Sequence, residues 1–97
     1  MPTYVVLAKW TEQGVRNIKD TVIRTDQVRA ATEKAGGRLI GIWWTQGPYD
    51  IIGVFDFPND ETASVLALST AMAGNVRAET LRAYTAEEMQ RIIQKLP

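Results

Sequence analysis

Four stretches of the chain are rich in strand-forming residues, and segments with helical spacing lie between them. Residues 3–10, 38–45, 50–57 and 76–84 combine β-branched and aromatic side chains with apolar runs or alternation, a pattern typical of strands. Turn-forming residues at 46–49 separate the second stretch from the third. We therefore predict four strands, of which the second and third form a hairpin.

The segment after the first strand predicts a helix with an interruption. Three apolar residues at helical spacing predict its buried side: Val15, Ile18 and Val22. Capping residues at 20–21 and again at 25–26 predict a break or kink within it. Glycines at 36–37 end this helix, because glycine tolerates the left-handed backbone conformation.

Two more helices follow the hairpin and the fourth strand. The first of them starts at 58–60 and ends at 74–75, and its larger apolar residues are Val65, Leu68 and Met72. The sequence from Thr85 to Glu88 is typical of a capping box. It opens a terminal helix whose apolar stripe contains Met89, Ile92 and Leu96.

The order of these elements predicts an α+β fold. A β-α-β-β-α-β sequence is the ferredoxin-like arrangement, here with an extra C-terminal helix, as one domain over residues 1–97. We expect a four-stranded antiparallel sheet with the first and third strands in the middle. The first two helices should cover one of its faces.

Both faces of this sheet are predicted to be largely apolar. In the first strand, Tyr4, Val6, Ala8 and Trp10 share one face, while Val5, Leu7 and Lys9 share the other. Strict alternation in the second strand groups Leu39, Gly41 and Trp43 against Ile40, Ile42 and Trp44. A contiguous apolar patch above roughly 400 Å² is a liability on an exposed surface. We predict that a second copy of the chain covers the face without helices; the alternative is a monomer whose terminal helix folds back over it.

Composition narrows the chemistry and the partners. Lys plus Arg and Asp plus Glu each number 11 among 97 residues, so the formal net charge is zero. Nucleic acids and anionic membranes select for a basic surplus, so neither is an expected partner. The chain has no cysteine and no histidine, which excludes disulfides, thiolate nucleophiles, Ser-His triads and imidazole metal sites. We predict no metal and no cofactor, and a cytoplasmic location because no apolar run approaches the roughly 20 residues of a membrane span.

The stretch WWTQGPYD at 43–50 is the candidate site. Its structural interpretation is a hairpin turn in which Asp50 accepts backbone N–H groups. In the functional interpretation, Tyr49 and Asp50 line a cleft, with Asp50 as a base of raised pKa and Tyr49 as a hydrogen-bond donor.

Four further residues are candidate ligand contacts. Trp44 and Trp10 could stack on a ligand, although core or interface packing is the alternative for both. Lys19, near the start of the first helix, could help to hold an anion. Arg77 could bind a carboxylate or form an ion pair with Asp50.

Several motifs together resemble the GYD domain family. They are MPTYVVL at the start, TEQGVRNIK at 11–19, WTQGPYD at 44–50 and GNVRAETLRAYT at 74–85. The family takes its name from a Gly-x-Tyr-Asp turn, which here is Gly47 to Asp50. The resemblance spans most of the chain, stopping before the terminal helix. It implies a ferredoxin-like fold of the dimeric α/β-barrel type, without an assigned biochemical role.

Three functional hypotheses follow. The first is a homo-oligomeric protein that binds a small, partly apolar molecule between sheet and helices or at the subunit boundary. The second is a cofactor-free enzyme of the monooxygenase or isomerase type, by analogy with related barrels. The third is a purely structural assembly unit.

Overall fold

One antiparallel sheet organises the computed structural model, which describes residues 1–97. Its strands are β1 (Thr3–Trp10), β2 (Arg38–Trp44), β3 (Ile51–Asp56) and β4 (Val76–Ala83). They lie in the order β2-β3-β1-β4, and every neighbouring pair is antiparallel. The predicted ferredoxin-like fold, with the first and third strands central, is therefore confirmed.

Four α-helices accompany the sheet: α1 (Glu12–Arg16), α2 (Thr21–Lys34), α3 (Asp60–Ala73) and α4 (Ala86–Gln94). A 3-10 turn, Ile18–Asp20, separates α1 from α2. The predicted interruption is thus present at the first of its two positions, and the second, Thr25-Asp26, lies inside α2. No helix is long and apolar enough to cross a membrane.

Local sequence fixes where the helices begin and end. Thr11 and Asn59 accept backbone N–H groups in the first turns of α1 and α3. Thr85 and Glu88 form the complete capping box at the start of α4. Gly74 ends α3 with a φ of 83°, a left-handed conformation that side chains other than glycine adopt at a cost. These predicted caps are confirmed.

The buried core is small and lies at one end of the helix-covered side of the sheet. It consists of Tyr4, Leu39, Phe55, Phe57 and Ala63. The rings of Phe55 and Phe57 stack with centroids 5.5 Å apart. Tyr4 donates a hydrogen bond to the Asp60 carboxylate, which ties β1 to the start of α3. Next to the core on this side, a cleft separates the helices from the sheet.

The larger apolar residues of the two helical segments do not mark the sides that face the sheet. Val15, Ile18 and Val22 are exposed, as are Val65, Leu68 and Met72. The residues that face the sheet are smaller, and among them Thr25, Thr32 and Ala63 are buried. Short side chains let a helix backbone approach a sheet closely. Large apolar residues were therefore a misleading guide to the inward side of these helices.

Strand β2 also departs from strict alternation. A β-bulge between Leu39 and Gly41 changes the register with β3. Leu39 pairs with Phe55, and Trp44 pairs with Ile51, so both lie on the helix side. The predicted grouping of Leu39 with Gly41 and Trp43 is wrong, because a bulge inserts one unpaired residue and reverses the alternation beyond it.

The opposite side of the sheet, the outer side, has no helix over it in this subunit. Val5, Leu7, Ile52 and Val54 occupy its central strands, and Trp43 on β2 is 54% exposed. Helix α4 has no extensive contact with the sheet; it is joined to β4 by the ion pair of Glu88 with Arg82, and the molecule extends 51 Å along its longest axis. The alternative in which the terminal helix folds back over this side is therefore wrong.

Candidate ligand cleft

A cleft of about 390 Å³ lies between α2, α3 and the helix side of the sheet. Helix α2 packs on β2 and α3 packs on β4, which are the two edge strands. The central strands are left partly uncovered between the helices. Its floor includes Val6, Ile51 and Gly53. The volume is within the roughly 300–1,000 Å³ typical of ligand pockets.

Small side chains on the facing helices leave this space open. Ala63, Ala67 and Ala71 line the cleft from α3 at four-residue spacing, which places them on one side of that helix. Val28 and Ala31 line it from α2. Helix α3 adds one large apolar residue to the lining, Leu66, which packs against the core, while its other large residues, Val65, Leu68 and Met72, are exposed.

Most polar groups in the cleft already have partners. The hydroxyl groups of Thr25, Thr32 and Thr70 donate to carbonyl oxygens one turn earlier in their own helices, at 3.1, 2.7 and 2.9 Å. Arg24 differs, because its Nη1 donates to the Asn17 carbonyl at 2.7 Å while its buried Nη2 has no partner. The cleft is therefore an apolar space with one guanidinium group in its wall.

The Gly-x-Tyr-Asp turn performs a structural task at the end of the sheet. The Oδ2 atom of Asp50 accepts the Trp10 backbone N–H at 2.9 Å. The Asp50 N–H donates to the Ala8 carbonyl at 2.9 Å, and the Asp50 carbonyl accepts the Thr45 N–H at 2.9 Å. Asp50 accepts a backbone N–H, as the structural interpretation expects, but its partner lies at the end of β1, so Asp50 joins the hairpin to that strand.

Tyr49 lies on the outer side, away from the cleft. Its hydroxyl donates to Glu79 on β4 at 3.2 Å, and the Lys9 Nζ is 5.4 Å from the centre of its ring. The negative charge of Glu79 and this hydrogen bond raise the pKa of Tyr49. Tyr49 and Asp50 are neighbours in the chain, but neither lines the cleft.

The tryptophans lie beside the cleft rather than within it. Trp44 Nε1 donates to Thr21 Oγ1 at 3.0 Å, and Thr21 lines the cleft. Trp44 therefore does not line the cleft itself but contacts a residue that does. Trp10 lies at the end of β1 on the same side, and its Nε1 is buried without a partner.

The predicted cationic residues are also outside the cleft. Lys19 is exposed in the 3-10 turn. Arg77 pairs across the strands with Lys9 on the outer side and also borders a surface depression with Thr11 and Gly74. It forms no ion pair, so the expected bridge between Arg77 and Asp50 is wrong.

Five of the six predicted residues lie at one end of the sheet, but the sheet separates four of them into two pairs. Trp10 and Trp44 are on the helix side, and Tyr49 and Arg77 are on the outer side. Asp50 links the two regions at the rim. No group of three carboxylates is placed to hold a metal ion. The role of these residues in binding stays a prediction.

The arrangement defines a ferredoxin-like α+β protein with a cleft under its helices and an uncovered outer side. The chain belongs to the GYD domain family, whose sequence profile matches residues 4–93. This confirms the resemblance and extends it, because the match continues into α4.

The chain is also similar to a protein from Thermus thermophilus named glutamine synthetase and cystathionine beta-lyase binding protein. The two are 28% identical over 90 residues, which cover 92% of this chain and 95% of the relative. The likeness therefore extends over nearly the whole of both chains.

Sequence reasoning missed the residues that build the cleft. Arg24 was not singled out, although Thr21, Arg24, Thr25 and Val28 recur at the spacing of one helix side. The available signal was this side of α2 together with the alanines of α3. Neither set of side chains is large and apolar enough to fill a core.

Proposed function

We propose that the protein is a binding protein whose cleft holds a small, partly apolar molecule. The observation that carries this proposal is the open, apolar space between α2 and α3. If this space is empty, the apolar side chains around it lose contacts, and the protein loses stability in proportion to the volume of the void. An apolar ligand would restore those contacts.

A neutral probe tests this proposal directly. Octan-1-ol has an apolar body and one polar group, and its binding can be followed by amide NMR shifts together with Trp44 fluorescence. We expect shifts concentrated on residues of α2, α3 and β3 that line the cleft. Scattered shifts, or none up to the solubility limit of the alcohol, would refute the proposal.

A matched pair of variants locates the binding. Ala67→Leu places a larger side chain in the cleft, whereas Ala30→Leu makes the same change at an exposed position of α2 outside it. Alanine and leucine have similar helix propensities, so both variants should fold. We expect weaker octan-1-ol binding in Ala67→Leu alone. Equal binding by the two variants would place the ligand elsewhere.

We also propose a homodimer formed through the outer side of the sheet. Its centre is apolar at Val5, Leu7, Ile52 and Val54, and charged residues surround that centre, including Lys9, Arg38, Arg77 and Glu79. An apolar centre with a polar rim is typical of protein interfaces. The relative from Thermus thermophilus is named as a binding protein of two enzymes, which is consistent with protein association as a role for the family. Light scattering at micromolar concentration tests the dimer, and a monomer would refute it.

The catalytic alternative has less support. The carboxylate of Asp50 accepts a backbone N–H at the sheet end, and neither Asp50 nor Tyr49 lines the cleft. A general base must lie within hydrogen-bonding distance of the proton it removes. Binding without chemistry is therefore the proposal that this geometry favours, in a protein that we place in the cytoplasm.

A further inference from the structure

The residues that line the cleft carry one positive charge and no negative charge. Among all 25 residues that line it, Arg24 is the only one with a formal charge, and there is no carboxylate. The ion pairs of the molecule involve Arg16, Arg38, Arg82 and Arg91. Arg24 therefore lacks a carboxylate partner in this chain.

The hydrogen-bond donors of the Arg24 guanidinium group are only partly paired with acceptors. One nitrogen, Nη1, donates to the Asn17 carbonyl at 2.7 Å, and the other, Nη2, is buried with no acceptor. A buried donor without a partner is costly, and more so in a charged group. The guanidinium group is also held in position by the Asn17 contact, which reduces the entropy lost on binding a further acceptor.

We infer that the ligand of this cleft is an anion with an apolar body, of the monocarboxylic acid class. The inference rests on the proposed binding function and names its ligand class. A carboxylate would accept a charge-assisted hydrogen bond from the guanidinium group of Arg24, the one charged residue of the lining. The apolar body would lie along α3 over Val6 and Gly53, towards Phe57 at the far end.

The length of the cleft suits a short aliphatic acid. Arg24 and Thr32 both line it, and they are eight residues apart on α2. At a helical rise of 1.5 Å per residue, this separation is about 12 Å. An extended eight-carbon acid fits within that distance, with its carboxylate at the Arg24 end.

Three probes with the same eight-carbon chain test the inference: octanoate, octan-1-ol and octylammonium. We expect octanoate to bind at least about tenfold more tightly than octan-1-ol, as one charge-assisted hydrogen bond in a partly dry site implies. Octylammonium should bind most weakly, since the like charge of Arg24 repels it. Isothermal titration calorimetry at fixed pH and salt measures all three.

Two arginine variants on the same helix identify the anion contact. Arg24→Met removes the guanidinium group and keeps an apolar stem, and Arg29→Met makes the same change outside the cleft. We expect Arg24→Met to bind octanoate and octan-1-ol equally, and Arg29→Met to retain the preference for octanoate. Circular dichroism confirms that both variants remain folded.

The outcomes separate this inference from the proposed function. If octan-1-ol binds the cleft and octanoate binds no better, the anion inference fails and the binding proposal stands. If neither probe binds, both fail. A preference for octanoate that survives in Arg24→Met would overturn the assignment to Arg24.

Discussion

The two sides of the sheet differ in what they lack. The helix side has cover from α2 and α3 but too little side-chain volume, because small residues from α3 meet a glycine-containing floor. The outer side has large apolar side chains, including Leu81 at 45% exposure, but no cover from its own chain. The unfilled space on the helix side is suited to a small ligand, and the uncovered apolar surface of the outer side is suited to a second sheet.

Ligand binding on the helix side and association through the outer side should also differ in the source of their free energy. A cleft ligand gains contact with walls that are already in place, so affinity depends on a few groups such as Arg24. Sheet-on-sheet packing instead gains from apolar area removed from water, at roughly 25 cal/mol per Å² before the costs of association. Changes on one side should therefore leave the property of the other side intact.

The largest effect is expected from a charge placed at the centre of the outer side. Leu7 pairs with Ile52 and Glu79 across the strands. In Leu7→Lys the ammonium group can pair with Glu79 in a single subunit, but an opposing sheet would bury it. Burying a charge without a good partner costs several kcal/mol, so we expect dimerisation to weaken at least about 100-fold.

Light scattering over a concentration series measures this change. Leu7→Met is the matched control, because it conserves volume and should retain the dimer. Octanoate binding should be unchanged in both variants. A Leu7→Lys protein that dimerises like the wild type would show that the outer side is not the interface.

A core change on the helix side should act on folding and not on association. Phe55 is buried, pairs with Tyr4 and stacks on Phe57. Phe55→Ala should lower the free energy of unfolding by about 3–5 kcal/mol, which combines lost burial with the enlarged cavity. Urea denaturation measures the loss. A decrease below about 1 kcal/mol would mean that the site collapses and the core at this end is not rigid.

Two glycines provide a matched comparison of the sides. A Cβ at Gly53, on the helix side, would lie 2.7 Å from the Phe55 ring, and one at Gly41, on the outer side, 2.5 Å from the Trp43 ring. Phe55 is held by the core, but Trp43 is free to move in a single subunit. We expect Gly53→Ala to cost about 1–3 kcal/mol and Gly41→Ala less than about 1 kcal/mol.

Urea denaturation of the monomeric Leu7→Lys background measures both glycine variants without a contribution from association. Equal costs would show that Trp43 is as firmly held as Phe55. In the dimeric protein, the cost of Gly41→Ala should rise, because a partner subunit restricts the movement of Trp43.

The smallest effects concern the titration of two tyrosines, one on each side. Burial, followed by the hydrogen bond to Asp60, raises the pKa of Tyr4, and the charge of Glu79 raises the pKa of Tyr49. Because each pKa is raised in the folded state, the linked stability is fully present below the ordinary tyrosine pKa. It is lost only as the pH rises through the raised values.

Near-ultraviolet absorbance titration records all three tyrosines of the chain, and the Tyr49→Phe and Tyr84→Phe variants assign the signals. Glu79→Gln should return the pKa of Tyr49 towards its ordinary value and leave that of Tyr4 unchanged. A shift of both, or of neither, would contradict the assignment of the Tyr49 pKa to the charge of Glu79.

The strands and helix ends could be predicted because their causes are local. Strand β1 has the bounds predicted from its composition, and Thr85 caps α4 as its spacing with Glu88 indicates. Turn chemistry also predicted Asp50 as an acceptor of backbone N–H groups, although its partner, Trp10, lies on β1 and could not be predicted locally. Each of these depends on residues close in the chain or on a backbone preference.

The inward sides of the helices could not be predicted in the same way. On α3 the exposed Leu68 is larger than the buried Ala63, so hydrophobic size pointed to the wrong side. Which side of a helix faces a sheet depends on how closely the two backbones approach, and that distance is set by all the packed residues together. The lack of a carboxylate partner for Arg24 could not be predicted for the same reason, because it depends on where the other elements of the fold place their charged residues.

The element order, the antiparallel sheet and the apolar character of both its sides could be predicted from the sequence, because they follow from local propensity and two-residue alternation. The separation of α2 and α3 over the edge strands, and the absence of α4 from the outer side, depend on how the elements pack in three dimensions. The reason is that a cleft is a gap between elements, and its volume depends on their separation and not on any one segment of the chain.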